Sequence, residues 1–312
     1  MAPRRRALEQ VGDGLYAYLQ PGGGWGWSNA GLIVDGGETL LVDTLFDLRL
    51  TGEMLDAIRR SVPQADRIDV LVNTHANGDH TFGNQLLGGT RVVASAATAA
   101  EMTDAPPAAL AGLKANAAEL GRTGDFLVDC FGEFEFEGIE LRVPDETFAG
   151  ELTLTVGAKD VQLLEVGPAH TRGDTLVLVP GDRVVYSGDI LFNESHPVVW
   201  AGPIGNWIDA CDRILALDVE VVVPGHGELA GKHEVEELKA YLEYVLDEAG
   251  RCHDAGLPLV ESAREIGRDR WASWGEPERL VVNVAAAYRE LGAEVPSGTL
   301  PLFALMAELA GA

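Results

Sequence analysis

Four apolar runs in this chain each lead into a short polar turn that carries histidine or aspartate near glycine. Residues 68–73 lead into Thr74-His75-Ala76-Asn77-Gly78-Asp79-His80. Residues 161–166 lead into Gly167-Pro168-Ala169-His170-Thr171-Arg172-Gly173-Asp174. Residues 184–186 lead into Ser187-Gly188-Asp189, and residues 219–223 into Pro224-Gly225-His226-Gly227. A short apolar run bounded by turn residues reads as a buried strand. At a strand end a rigid scaffold gives way to a loop that is free to converge on a ligand. Glycine permits the tight turns this needs. Neutral imidazole and carboxylate together suit zinc and other divalent transition ions. The pattern therefore predicts a sheet protein whose strand ends meet around a metal.

The remaining sequence reads as layered α/β. Leu15–Leu19, 30–34 and 39–43 are short strands, the last two separated by the turn Asp35-Gly36-Gly37. Residues 50–61 put Leu50, Met54, Leu55 and Ile58 on one helical face. The alanine-rich stretch 95–120, broken at Pro106-Pro107, predicts two short helices. Strands are predicted at 138–143, Glu151–Val156, 161–166, Thr175–Val179 and 183–186, then a helix at 206–215 and a strand at 219–223. From Lys232 the pattern is helical: 234–249, 276–291 with Pro277 in the first turn, and the apolar tail 300–309. A core of residues 1–230 and a helical C-terminal extension of residues 231–312 agree with the two domain-equivalents that 312 residues suggest.

The four blocks, in this order, resemble the metallo-β-lactamase-fold hydrolases. That family's signature is His-x-His-x-Asp-His, then a distant His, an Asp and a Gly-His. The likeness spans about residues 10–230. It implies a four-layer αββα sandwich with the metal site at one edge of the two sheets. It also implies roles: His75 and His170 as ligands of a first metal position, and Asp79, His80 and His226 as ligands of a second. Asp189 then bridges both, and Asp43 is a supporting residue beside the site. The family's second His is Asn77 here, and an amide oxygen is a weaker, neutral ligand. The expectation is one zinc held tightly by Asp79, His80, His226 and Asp189, with a second ion weak or absent at His75, His170 and Asn77. Iron and manganese also suit these donors. His196 is a candidate replacement ligand, though a pocket or surface role is favoured.

A bound divalent ion lowers the pKa of its water from 15.7 to about 7. The resemblance therefore implies hydrolysis by metal-bound hydroxide, with Asp79 or Asp189 as the catalytic carboxylate that orients the water or moves its proton. The loop Gly22-Gly23-Gly24-Trp25-Gly26-Trp27 reads either as an aromatic lid or as a cap on the sandwich edge. Phe46, Phe192, His196 and Trp200 are further candidates for the substrate pocket. Arg172 is either a substrate clamp or a structural salt-bridge partner. Together these suggest a small apolar or aromatic ester, thioester, lactone or amide, and the variant with Asn also resembles proteins labelled cyclases, which admits a polyketide cyclase or thioesterase. An iron-dependent oxygenase on the same scaffold and a non-catalytic metal- or ligand-binding protein are the other classes kept.

Composition narrows the partners. A net charge of −26 repels phosphate backbones and anionic lipid, so no nucleic acid and no membrane is expected as a partner. No run approaches the ~20 apolar residues of a membrane span. Residues 1–8 hold three arginines with no apolar stretch after them, so no secretory signal is expected. Three scattered cysteines without a CxxC suit a reducing compartment, so the expected location is cytoplasmic. The tail 300–309 is the candidate contact for a homodimer.

Overall fold

The computed structural model describes residues 6–20, 22 and 24–311. Residues 1–5 of the arginine-bearing start and Gly23 of the glycine-rich loop lie outside the described residues.

Seven strands form the first sheet in chain order: β1 (Ala7–Gly12), β2 (Leu15–Leu19), β3 (Ala30–Asp35), β4 (Glu38–Val42), β5 (Val70–Val72), β6 (Arg91–Ser95) and β7 (Glu146–Phe148). The first four run antiparallel, and β4 to β7 pair in parallel. The second sheet contains β8 (Glu151–Val156), β9 (Lys159–Glu165), β10 (Thr175–Val179), β11 (Val184–Phe192) and β12 (Val221–His226), in the order β12-β11-β10-β9-β8. Its one parallel pair is β11 with β12.

Side chains alternate across a strand, so each sheet has two faces. Leu15, Ala17, Ile33, Leu40 and Val42 of the first sheet meet Val161, Leu163, Val177, Val184 and Tyr186 of the second in one apolar layer. The intervening Leu32, Leu41 and Leu71, and Leu176, Leu178 and Val185, enter the cluster shared with the helices. Helices thus cover the outer faces, giving the αββα sandwich, and strands buried on both faces need the nearly continuous apolar runs seen in the sequence.

The helix Leu48–Ser61 shows how local signals set the layers. Asp47 caps it by accepting the Leu50 N–H at 2.7 Å. Its apolar stripe buries Leu50, Met54, Leu55 and Ile58, each contributing roughly 1.5–3 kcal/mol of transfer free energy. Ile204–Ala216 and Lys232–Asp254 pack on β11. In the C-terminal region, Pro277–Arg279 forms a single 3-10 turn that leads into the helix Leu280–Glu290. The tail forms the helix Thr299–Ala310 and buries Leu302, Phe303, Met306 and Ala307 within this chain, against Arg122–Phe131 and Leu280–Glu290. One apolar cluster joins these helices to the outer faces of the sheets.

The strand expected at 138–143 is absent. Those residues are irregular, and side chains satisfy their backbone in place of a ladder: Glu140 N donates to Gln85 Oε1, and Arg142 O accepts from Asn84 Nδ2. The sheet edge is taken instead by β7. The strand β1 and the helix Arg122–Phe131 were not anticipated from sequence, whereas Leu259–Ile266 falls within the stretch read as helical from Lys232. Cys130, Cys211 and Cys252 are free thiols, the last two buried. Among the described residues no helix is long and apolar enough to cross a membrane.

Candidate metal centre

The turn after β5 is built to hold its polar groups rigidly. Asn77 occupies the N-cap position of the single helical turn Gly78–Thr81, which carries Asp79 and His80, and its side chain makes no capping hydrogen bond there. The His80 carbonyl accepts from Thr44 N at 3.0 Å and Asn73 Nδ2 at 2.9 Å, and Ser28 Oγ donates to the Asp79 carbonyl. Across the sandwich, β11 is irregular against β12 around Gly188, and such bulges re-aim side chains. Here Asp189 enters the centre of the site. Gly225 on β12 allows it: a Cβ there would lie 1.9 Å from Asp189 Oδ1.

Asp189 is the hub. Its Oδ1 lies 3.1 Å from His80 Nε2. Its Oδ2 lies 3.2 Å from His170 Nε2, 3.4 Å from His226 Nε2 and 3.7 Å from His75 Nε2. Asp79 Oδ2 lies 3.3 Å from His226 Nε2 and 4.0 Å from His80 Nε2. All six side chains are buried. Within this cluster His75, His80 and Asp189 could share one ion, as could Asp79, His80 and His226.

The donor chemistry fits a divalent cation. His75 Nε2, His80 Nε2 and Asp189 Oδ1 are buried with no hydrogen-bond partner. Buried polar atoms are normally satisfied, and these bare lone pairs face one another. Three imidazoles are oriented through the nitrogen that faces away. His80 Nδ1 donates to Asp43 Oδ2 at 2.9 Å, and His170 Nδ1 donates to the Val198 carbonyl at 2.7 Å. His75 Nδ1 sits 3.0 Å from Thr74 Oγ1, which itself donates to Asp43 Oδ2 at 2.7 Å. Such partners fix the tautomer of a metal-binding histidine.

The electrostatics are lopsided. Burial draws His75 well below the ordinary histidine range, and neighbouring His80 adds to that. Burial likewise takes His170 down to about 4, despite Asp189. At His80 burial is outweighed by Asp189, Asp43 and Asp79, which hold it well above the ordinary value. At His226 burial is again outweighed, chiefly by Asp189, and it rises to about 9. Negative charge is thus concentrated around His80 and His226. On the other side Asn77, half-buried and neutral, places its Nδ2 3.4 Å from His170 Nε2.

The expected pocket residues fall in different places. Phe192 stacks flat on His226, with centroids 4.9 Å apart and planes 2° apart. Trp200 donates its backbone N–H to the His170 carbonyl at 3.0 Å and stacks on Phe303. Trp25 contacts Trp200, Phe131 and Phe303, and its Nε1 donates to Glu278 Oε1 at 2.7 Å. Trp27 lies on Phe134. Phe46 is core, ringed by Phe82, Phe131, Phe134 and Phe136. His196 is buried outside the ligand cluster, with Nδ1 2.9 Å from Tyr241 Oη. Arg172 pairs with Glu101 and Asp104 at the surface. Arg279 was missed: this buried guanidinium lies 4.2 Å over Trp25 and 5.4 Å over Phe192. Nothing local in its helical segment signals that placement.

The family model of the metallo-beta-lactamase superfamily matches residues 23–226, from the glycine-rich loop to the last histidine of the site. The chain belongs to this superfamily. Its relatives include a linear primary-alkylsulfatase of Pseudomonas sp. (strain ATCC 19151), 26% identical over 135 residues, which are 39% of this chain and 25% of that protein. The 2,4-dinitroanisole O-demethylase subunit alpha of Nocardioides sp. (strain JS1661) is 30% identical over 96 residues, 29% of this chain and 28% of that one. Among solved structures, a double mutant of the sec-alkyl sulfatase PisA1 from Pseudomonas sp. superposes with a TM-score of 0.71 at 16% identity, covering 92% of this chain and 50% of that one. The chain thus spans about a quarter of the length of these curated relatives. The structural likeness, at that identity, speaks for the fold.

Proposed function

We propose that this superfamily member is a metal-dependent hydrolase of a small apolar or aromatic substrate carrying an ester, thioester, lactone or amide bond. The observation that carries the reading is the convergence of bare, buried imidazole nitrogens on the Asp189 carboxylate. Asp79, His80, His226 and Asp189 would hold the principal ion, with zinc the first candidate. His75, His170 and Asp189, with the neutral Asn77, would hold a second one weakly. A divalent ion in such a site supplies a Lewis acid for the scissile group and makes hydroxide accessible near neutral pH.

The protein's own groups do the rest. Asp43 and the Val198 carbonyl keep the His80 and His170 lone pairs facing inward. Asp79, the most accessible of the six at 8% exposure, is placed to accept the proton of the attacking water. Burial of the cluster strengthens each charge interaction within it. Trp25 and Trp200, both half-buried and both in contact with Phe303 beneath them, would offer an apolar wall joined to the site through the Trp200 backbone. The names of the two curated relatives, for a linear alkyl sulfate and for dinitroanisole, both describe an apolar or aromatic group linked through oxygen, and this supports the apolar side of the reading.

The test is a panel of 4-nitrophenyl esters, aryl thioesters, an alkyl sulfate and a nitroaryl methyl ether. The purified protein is stripped of metal, then loaded with zinc, manganese or iron. Turnover that depends on metal and is lost on chelation is expected, highest for apolar or aromatic acyl groups. A protein that takes up no ion, or that takes one up and cleaves none of these bonds, would defeat the proposal.

A further inference from the structure

His226 differs from its three companions. Its Nε2 faces Asp79 and Asp189 at 3.3 and 3.4 Å, but its Nδ1 is buried without a hydrogen-bond partner. Among the described residues no carboxylate, carbonyl or hydroxyl holds the nitrogen that faces away from the site. An imidazole without such a partner can swing about its own axis and present either nitrogen or carbon to the site. Its orientation therefore has to come from packing.

Phe192 supplies that packing. The parallel register of β11 and β12 pairs Phe192 with His226, and Asn193 N donates to the His226 carbonyl at 3.0 Å. The two rings lie 4.9 Å apart and 2° from coplanar. Phe192 is itself immobilised. It is 2% exposed, it meets His170 at 5.6 Å and Trp207 at 6.3 Å, and the Arg279 guanidinium lies 5.4 Å from its centroid. Arg279 is anchored in turn by Ser195 Oγ at 3.2 Å and the His196 carbonyl at 3.1 Å.

We propose that Phe192 is the positioning residue for His226: a braced ring stack does for this ligand what a hydrogen bond does for the other three. The same phenyl also touches His170, so one side chain steadies a ligand of each metal position. This rests on the reading of His226 as a ligand, and the experiment separates the two.

Zinc affinity of the metal-free protein is measured by competition with a chelating dye for wild type, Phe192→Leu, Phe192→Tyr and His226→Ala. Far-UV circular dichroism and Tm of each metal-free form are recorded alongside. Phe192→Leu keeps apolar bulk and removes the ring, so zinc affinity should fall about tenfold or more, the range seen when a ligand loses its support. Phe192→Tyr keeps the ring and should stay within about threefold of wild type. If the Leu variant unfolds, Phe192→Met repeats the comparison with a flexible side chain that adapts to the space. The proposal is overturned if the folded ringless variant binds zinc within about threefold of wild type, or if Phe192→Tyr loses as much as Phe192→Leu. A His226→Ala variant that binds like wild type would sink the ligand reading itself.

Discussion

Asp43 accepts the Nδ1 hydrogen of His80 at 2.9 Å from a backbone that is itself left-handed, with φ of 65°. The same carboxylate accepts the Thr74 N–H and Thr74 hydroxyl, both at 2.7 Å, and that hydroxyl meets His75 Nδ1. One buried acid therefore orients an imidazole of each proposed metal position. Asparagine tolerates the left-handed region, so Asp43→Asn keeps the backbone while removing the charge and one of the two accepting oxygens. Zinc affinity should fall 10- to 100-fold. Asp43→Ala takes the acceptor from three buried donors, the Thr74 N–H, the Thr74 hydroxyl and His80 Nδ1, and should cost about 3 kcal/mol or more of stability as well. Chelator competition and urea unfolding read the two effects.

Gly225 gives a sharper separation between site and scaffold. Gly225→Ala places a methyl 1.9 Å from Asp189 Oδ1, so the central carboxylate must move and zinc binding should be lost. Gly31→Ala is the contrasting variant. Its Cβ would fall 2.3 Å from the Tyr186 ring, between the sheets, and should cost about 1–3 kcal/mol by overpacking while leaving zinc affinity within about threefold. Equal zinc loss in both variants would contradict this assignment.

Metal stoichiometry tests the role of Asn77. After extensive dialysis the wild type should keep close to one zinc per chain by elemental analysis. Asn77→His adds an imidazole beside His170 Nε2 and should raise the count towards two. Two ions retained equally by the wild type would show that the amide does not weaken the first position.

His196 should make stability sensitive to acid. Burial and the nearby Arg279 take its pKa from 6.5 down to about 4. Below about pH 6.5 the unfolded chain gains a proton that the native ring refuses, so stability is lost as pH falls from about 6.5 to about 4. The full difference is up to about 3 kcal/mol. His196→Gln lacks the titrating group, so the stability gap between wild type and variant should narrow across that window in urea unfolding. A gap that does not change with pH would refute it.

The proposed ligand set stands out in the sequence because its chemistry is local: His75, Asp79 and His80 lie within one turn, and His170, Asp189 and His226 each follow an apolar run. The supports stand out less. Val198 holds His170 by a backbone carbonyl, which no side-chain pattern reveals. Glu278 meets Trp25 across 253 positions, a relationship only packing can create. Phe46 looks like a rim residue beside Asp43, yet phenyl rings from four other positions close around it. The alternation of Ile139, Leu141 and Val143 mimics a strand, but its backbone finds side-chain partners first. The edge strand β1 is mixed in polarity and has no fully buried residue, so it carried little signal.

Asn283, on the helix Leu280–Glu290, takes the Val199 N–H at 3.0 Å and gives its own amide hydrogen to the Pro197 carbonyl at 2.9 Å. It clips the chain on either side of Val198, whose carbonyl holds His170. The terminal helices are therefore poor candidates for exchange by anyone grafting a new module onto this scaffold. A replacement would have to restore that single amide clip, or the proposed metal site would drift although none of its own side chains had been touched.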